Sequence, residues 1–490
     1  MKLIYNYMKI KIINLLKNKI NEINLFSPYI YNDYLIKQFS LKIFIILFLI
    51  ILIIKLNKTF LLHNRNINES YYNIQKSLNL TFNNNLFNKI IIGIYTYCIK
   101  NGGRARITSI LIDYLNKIKL FKIFLFTKEH KEHNEYKLPN NIKRKVVTNN
   151  IIDIIRKYKI EVLIYQLSNY DEINELNNLN KTKVIYYLHS SFFYWIYRDY
   201  FNFKALYKSY TNSKYVISLI PLENDFIFQK WGINSILMNN FITYEYDSIE
   251  PSDLSSKIIL MIGRANDKHK RFELGIKSME FIIKEVPDCQ MKIISELKYI
   301  DYLQEYVNNE LKLDKYIKFV GFTLTPEIYF KNSSLHIFPT ISEAFPMVLC
   351  ETKIYGIPNI LVGIDYISIA KGGTIIIYDD EPQSISNEAI KILKNKTYRR
   401  KLGEEARNSM KKFNNEILFI KWIKLILSVF NGESFYQNLR EQDSKLSKIE
   451  ALNMIKSQLK LLNIRKKNCS IITVNDIENF TFLEEIDCNE

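Results

Sequence analysis

The stretch Ser342-Glu343-Ala344-Phe345-Pro346-Met347-Val348-Leu349-Cys350-Glu351, closed by Tyr355-Gly356-Ile357-Pro358, decides how this chain is read. Proline lacks the N–H that a first helical residue would leave unpaired, so Pro346 marks a helix start, and Gly356 followed by Pro358 marks its stop. The spacing predicts a helix of about three turns from Pro346 to Tyr355. Ahead of it, Leu335-His336-Ile337-Phe338-Pro339 has the length and apolarity of a short buried strand. Glu343 then falls in a strand-to-helix loop and Glu351 on the second helical turn. A helix N-terminus with unpaired N–H groups holds anions. The arrangement suits a diphosphate at that N-terminus, with a carboxylate on each side binding hydroxyls.

Upstream, the same rhythm of strand and helix repeats. Lys257-Ile258-Ile259-Leu260-Met261-Ile262-Gly263 reads as a strand, Arg271 to about Val286 as a helix, and Met291–Ile294 and Ile317–Gly321 as further strands. An earlier series begins at Lys89–Tyr95 and continues through Lys122–Phe126, Val162–Tyr165, Val184–Leu188, Val216–Leu219 and Ile236–Met238, with helix-length segments between most of them. Apolar strands alternating with helices make a parallel, doubly wound sheet whose ligands bind beyond the carboxyl ends of the strands. The loops at Gly102-Gly103 and His189-Ser190-Ser191 fall there. A polar linker around Tyr244–Ser252 separates the two series, so the fold class is α/β with two Rossmann-like domains facing across a cleft.

In the second series Gly263-Arg264 follows a strand and Lys270 opens a helix. Arg grips two phosphate oxygens in a fork and Lys supplies a mobile point charge, so the pair suits a diphosphate. Taken alone, such a basic loop is usually just a solvated turn. Glu343 alone reads as a helix-start charge, and His189 as a core histidine.

The chain has 490 residues, room for two or more domains, and a formal charge of +18. Its cations are interleaved with carboxylates, so no nucleic acid is expected as a partner; anionic small molecules and lipid surfaces fit the charge. Cys98, Cys289, Cys350, Cys469 and Cys488 are odd in number and widely spaced, which indicates neither a disulfide framework nor a zinc site. Residues 43–54 are an unbroken apolar run, and Phe39 to Leu56 would span about 27 Å as a helix. The expected organisation is a tail (1–42), a transmembrane anchor (43–56), a stalk (57–88), a first Rossmann-like domain (89–245), a second Rossmann-like domain (246–430) and a helical extension (431–490) in which 444–462 is amphipathic. A single-pass endomembrane location is expected, with the side of the membrane open.

The order Gly263-Arg264, Lys270-Arg271-Phe272-Glu273-Leu274-Gly275-Ile276, Glu343-Ala344-Phe345-Pro346 and Glu351, ending at Tyr355-Gly356-Ile357-Pro358, resembles the family-4 (group 1) retaining glycosyltransferases of GT-B architecture, over about residues 89–430. Gly102-Gly103 with Arg106 resembles that family's N-terminal glycine loop. The resemblance implies a nucleotide-diphosphate sugar as donor substrate and a glycan or glycolipid acceptor, with no cofactor and no metal. It implies that Arg264 and Lys270 neutralise the diphosphate, that Glu351 holds the ribose hydroxyls, that Glu343 and His189 lie by the donor sugar, and that the backbone at Ala344, Phe345, Met347, Gly263, Gly102 and Gly103 approaches the donor. Ala344, Cys350 and Lys353-Ile354-Tyr355 depart from the family's commoner residues, which leaves the donor's identity open. The alternative is a sugar-nucleotide-binding protein or an epimerase-like relative of the same fold.

Overall fold

The structure, a computed structural model, describes residues 89–433 apart from 101, 132–134, 199, 297–299 and 324, together with residues 448–465. The apolar run at 43–54, expected to be an anchor, lies outside these residues. Among the described residues no helix is long and apolar enough to cross a membrane.

The first lobe runs β1 (Ile90–Thr96), α1 (Gly103–Asn116), β2 (Phe121–Thr127), β3 (Lys143–Val146), α2 (Ile151–Tyr158), β4 (Val162–Tyr165), α3 (Tyr170–Asn177), β5 (Lys183–Tyr187), α4 (Phe192–Arg198), α5 (Tyr200–Asn212), β6 (Tyr215–Ser218), α6 (Pro221–Trp231) and β7 (Ser235–Leu237). The second runs β8 (Ile258–Ile262), α7 (Phe272–Glu285), β9 (Gln290–Ile294), α8 (Asp301–Glu305), β10 (Ile317–Phe319), α9 (Glu327–Lys331), β11 (Leu335–Phe338), α10 (Met347–Ile354), β12 (Asn359–Val362), β13 (Thr374–Ile377), α11 (Pro382–Lys394) and α12 (Lys396–Ser409). Two further helices, α13 (Asn415–Asn431) and α14 (Lys448–Arg465), complete the described chain.

The strands form a seven-stranded sheet in the order β3-β2-β1-β4-β5-β6-β7 and a six-stranded sheet in the order β10-β9-β8-β11-β12-β13. Every pairing is parallel. Helices cover both faces of such a sheet, so its central strands are apolar throughout, as the fully buried β4 (Val-Leu-Ile-Tyr) is. In each sheet the strand order reverses beside the first strand of the lobe, between β1 and β4 and between β8 and β11. Crevices open at these reversals. The Gly102 turn follows β1, Arg264 follows β8 and Glu343 follows β11, which brings the named loops to the right ends of the sheets.

The asparagine-rich composition is used locally. Asn150, Asn169, Asn395 and Asn414 each sit just ahead of a helix and accept a first-turn N–H with their side chains. Each such cap is worth about 1 kcal/mol over alanine. Helix α13 crosses back to the first lobe: Lys421 Nζ donates to Leu237 O at 2.8 Å, and the buried Trp422 ring meets Tyr187 edge-on at 5.3 Å.

Several sequence expectations shift. Pro346 caps α10 with extended backbone (φ −70°, ψ 117°) and the helix begins at Met347, one residue later than its sequence suggests. Strands β3, β12 and β13 were not anticipated. β3 is a polar edge strand (Lys-Arg-Lys-Val), and the other two have four residues each. The amphipathic stretch expected at 444–462 is α14. Ile455, Leu459, Leu461 and Leu462 are buried within the protein. Gln458 is 1% exposed; its Nε2 donates to Gly363 O and to Asp365 Oδ1, the latter at 3.0 Å.

Candidate active site

A cleft of about 480 Å³ opens between the carboxyl ends of the two sheets. From the second lobe it is lined by Gly263, Arg264, Lys270, Glu343, Ala344, Phe345 and Met347, and from the first by Gly102, Gly103 and His189. Ten of the eleven residues singled out in the sequence thus meet in one place. The exception is Glu351.

The floor is the N-terminus of α10. Pro346 offers no side-chain cap, and a helix leaves its first amides without intrahelical acceptors, so the N–H groups of Met347 and of Val348, which also lines the cleft, are available to an anion. Lys270 ends a single 3₁₀ turn, Lys268–Lys270, whose geometry is set from behind. Arg271 adopts a left-handed backbone (φ 50°), its Nε donates to Pro339 O at 2.6 Å and its Nη1 pairs with Asp380. That strut aims Lys270 Nζ over the Phe338 ring, 5.4 Å from its centre, and onto Glu343, with which it forms an ion pair. Arg264 is more open, its side chain 59% exposed and its guanidinium paired with Asp267 Oδ2 at 2.7 Å.

Glu343 is fixed through its backbone. Its N–H donates to Tyr366 Oη at 3.1 Å, and Tyr366 donates in turn to Ser342 Oγ at 3.3 Å. Ser342 Oγ reaches the other lobe, 3.0 Å from Ser191 Oγ. Beyond Ser191 lies Glu223, which accepts the Phe192 N–H at 2.6 Å and whose carboxyl burial pushes up to about 8. Lys353 turns away from the cleft. Its Nζ donates to Ile369 O and Lys371 O at 2.6 and 2.7 Å, holding the loop that carries Tyr366, and burial pushes its pKa down to about 7.

On the first lobe Gly102 has φ 96°, a conformation that favours glycine, and it is followed directly by α1 rather than by an extended loop. A Cβ on Gly103 would stand 3.4 Å from Met347 Cγ, so the small residue lets α1 and α10 approach each other. The His189 ring packs 4.1 Å from that of Tyr187, and both its ring nitrogens are buried without a hydrogen-bond partner. Burial, and secondarily the Arg104 guanidinium, push its pKa down to about 3. A neutral imidazole keeps one donor and one acceptor to offer a ligand hydroxyl. His189→Gln is therefore expected to lower turnover roughly tenfold to a hundredfold without removing an ionisation from the rate profile between about pH 5 and 8. The profile of kcat/KM against pH checks this; loss of an acidic limb in the variant would contradict it.

Glu351, expected to face a ribose, is instead 2% exposed in the seam between the lobes. It pairs with Arg106 of α1 and accepts from Thr243 Oγ1 at 2.8 Å. The helical spacing does put it one turn below Met347, but α1 lies over that turn and covers it. Burial raises its pKa and Arg106 opposes the rise. The sequence reading also passed over Arg104, Tyr194, Trp195 and His269, all of which line the cleft. Among the described residues no group of three or more His, Cys, Asp or Glu side chains is gathered as for a metal ion.

Residues 244–409 match the family model described as glycosyl transferases group 1. The fold is GT-B-like, and the matched segment lies in the second lobe. Among particular relatives, the chain is 22% identical over 152 residues to an uncharacterized glycosyltransferase of Haemophilus influenzae. That alignment covers 31% of this chain and 42% of the relative, less than half of its length. Among solved structures, sucrose-phosphate synthase from Thermosynechococcus elongatus superposes with a TM-score of 0.61 at 14% identity, covering 70% of this chain and all of the other. HepE of Anabaena in complex with UDP and glucose gives 0.57 at 12% identity, with 70% and 100% covered. TarM gives 0.57 at 12% identity, with 70% and 99% covered.

Proposed function

We propose that the protein is a retaining glycosyltransferase of the family-4 type, which transfers a sugar from a nucleotide-diphosphate donor to a glycan or glycolipid acceptor. The observation that carries this reading is the convergence of Arg264, Lys270 and the uncapped N-terminus of α10 on one wall of the cleft, facing the neutral His189 on the other. As the glycosyl bond breaks, negative charge grows on the departing phosphate, and cations and helix amides already aimed at it stabilise that charge. In a retaining transfer the acceptor hydroxyl attacks from the face the phosphate leaves, and the phosphate oxygen takes its proton. No separate base is required of this chain. Glu343, beside Lys270, would hold a hydroxyl of the donor sugar, and Glu351 would meet the ribose only where α1 withdraws from it. HepE, of like fold, is described in complex with UDP and glucose, which makes uridine diphosphate sugars the first donors to try. The apolar run at 43–54 supports a membrane-anchored enzyme acting on a membrane-borne acceptor.

The test is a screen of nucleotide sugars against the purified full chain, read as release of nucleoside diphosphate and as a rise in melting temperature. A donor at about 100 times its Kd adds about 2.7 kcal/mol of stability. Stabilisation without release, with every acceptor tried, would favour a binding protein over an enzyme; neither signal from any donor would sink the reading. Protease protection in sealed vesicles assigns the side of the membrane.

A further inference from the structure

Glu223, the third residue of α6, is buried outside the cleft. A glutamate in that position commonly turns back to the N–H of its own helix cap. Here the Ile220 N–H goes to Ser218 Oγ at 3.4 Å, and Glu223 Oε1 accepts instead from the N–H of Phe192, the first residue of α4, at 2.6 Å. Burying a carboxyl costs free energy, and its own helix recovers none of it. The carboxyl serves the segment that follows β5.

That segment bridges the lobes. The Phe193 N–H and the Ser342 hydroxyl both donate to Ser191 Oγ, each at 3.0 Å, so the Ser191 hydrogen is left for the Glu223 carboxyl that it faces. Tyr366 donates to Ser342 Oγ at 3.3 Å and accepts the Glu343 N–H at 3.1 Å. Each hydroxyl of the series thus donates toward Glu223, and hydrogen bonds polarised in one direction strengthen one another. The rings repeat the link: Phe193 lies 4.7 Å from Tyr366, and Phe192 stacks on Phe226 of α6 at 5.6 Å. Ser191, Glu223, Ser342 and Tyr366 are all buried, so a lost partner leaves an unsatisfied group rather than a solvated one.

We propose that Glu223 is a positioning residue for Glu343: through Ser191, Ser342 and Tyr366 it fixes, from the opposite lobe, the loop that carries the sugar-side carboxylate. The role rests on the glycosyltransferase reading above, whereas the link between the two glutamates does not.

Hydrogen exchange of the full chain, read by mass spectrometry at the Glu343 amide, tests the link without a ligand. Tyr366→Phe removes the acceptor itself and should speed exchange there at least about tenfold, and Glu223→Leu should do the same from the other lobe. The double variant should exchange no faster than either single one, because the groups act in series; a general loosening of α4 or α6 would add. Glu223→Gln keeps an acceptor oxygen and the neutral state that burial favours, so it should stay near the wild type. Ser191→Ala replaces Glu223→Leu if the latter fails to fold. Turnover of UDP-glucose then tests the role: Glu223→Leu is expected to lower kcat about tenfold to a hundredfold with KM little changed, and Glu223→Gln to restore it. Unaltered exchange at Glu343 in Glu223→Leu and Ser191→Ala, additive effects with Tyr366→Phe, or faster exchange with kcat unchanged would overturn the proposal. A wild type that turns over neither UDP-glucose nor any other nucleotide sugar, with exchange still coupled, sinks the glycosyltransferase reading and leaves the link standing.

Discussion

Lys270→Ala should lower sugar transfer by about a hundredfold to a thousandfold, the usual cost of removing one preorganised group that stabilises transition-state charge. Lys270 is held at the end of the Arg271 strut and is paired with Glu343 before any ligand arrives. A donor diphosphate must draw the ammonium away from that carboxylate. The two partners should therefore respond in opposite ways in binding and alike in turnover. Lys270→Ala weakens nucleoside diphosphate binding and transfer together. Glu343→Ala releases Lys270 to the phosphate, so it should tighten nucleoside diphosphate binding several-fold while transfer is lost. Calorimetry and initial rates, with circular dichroism as a control on folding, decide the matter; undiminished transfer in both variants would remove them from the site.

The second large effect is on stability. Arg106→Ala strands the Glu351 carboxylate, which is 3% exposed in its side chain, with Thr243 as its remaining hydrogen-bond partner. Breaking a buried pair from one side costs about 3–5 kcal/mol, whereas removing both charges costs much less. Urea unfolding of Arg106→Ala should therefore show a marked fall in midpoint, and Arg106→Ala/Glu351→Gln should recover much of it. The sign with pH follows from Glu351. A carboxyl whose folded pKa lies above its unfolded value weakens the fold at high pH, and the penalty fades as the proton is taken up. The single variant should be nearest the wild type at about pH 5 and furthest at about pH 8. A loss below about 1 kcal/mol, or the opposite trend with pH, would contradict the seam described here.

Continuous apolar runs made most of the two sheets readable from sequence, because strands buried on both faces carry no polar alternation to hide them. β3 was missed for the opposite reason: Lys143 and Lys145 project from an edge and resemble loop. The chemistry of the cleft was legible where it is local. Lys270 near a helix start and Glu343 between strand and helix follow from the chain around them. Glu351 was misplaced because helical spacing fixes the face a residue occupies and says nothing of what will lie on it; Arg106, distant in sequence, decides that. Arg104 escaped for a related reason. A cation after two glycines reads as solvated, and only the folded first lobe turns it to the cleft. Pro346 shows the limit of local rules, since proline suits the cap as well as the first turn.

The two lobes are tied by more than the linker. Helix α13 returns to the first lobe, and α14, which packs beside α6 of that lobe, is clasped through Gln458 to Gly363 and Asp365 of the second. Bodies fastened at separated points lose most of their rotational freedom and keep a swing about the axis joining the fasteners. Motion that admits a donor or frees a product would then be a one-axis swing, and cutting the Gln458 clasp with Gln458→Ala would turn a hinge into a looser joint.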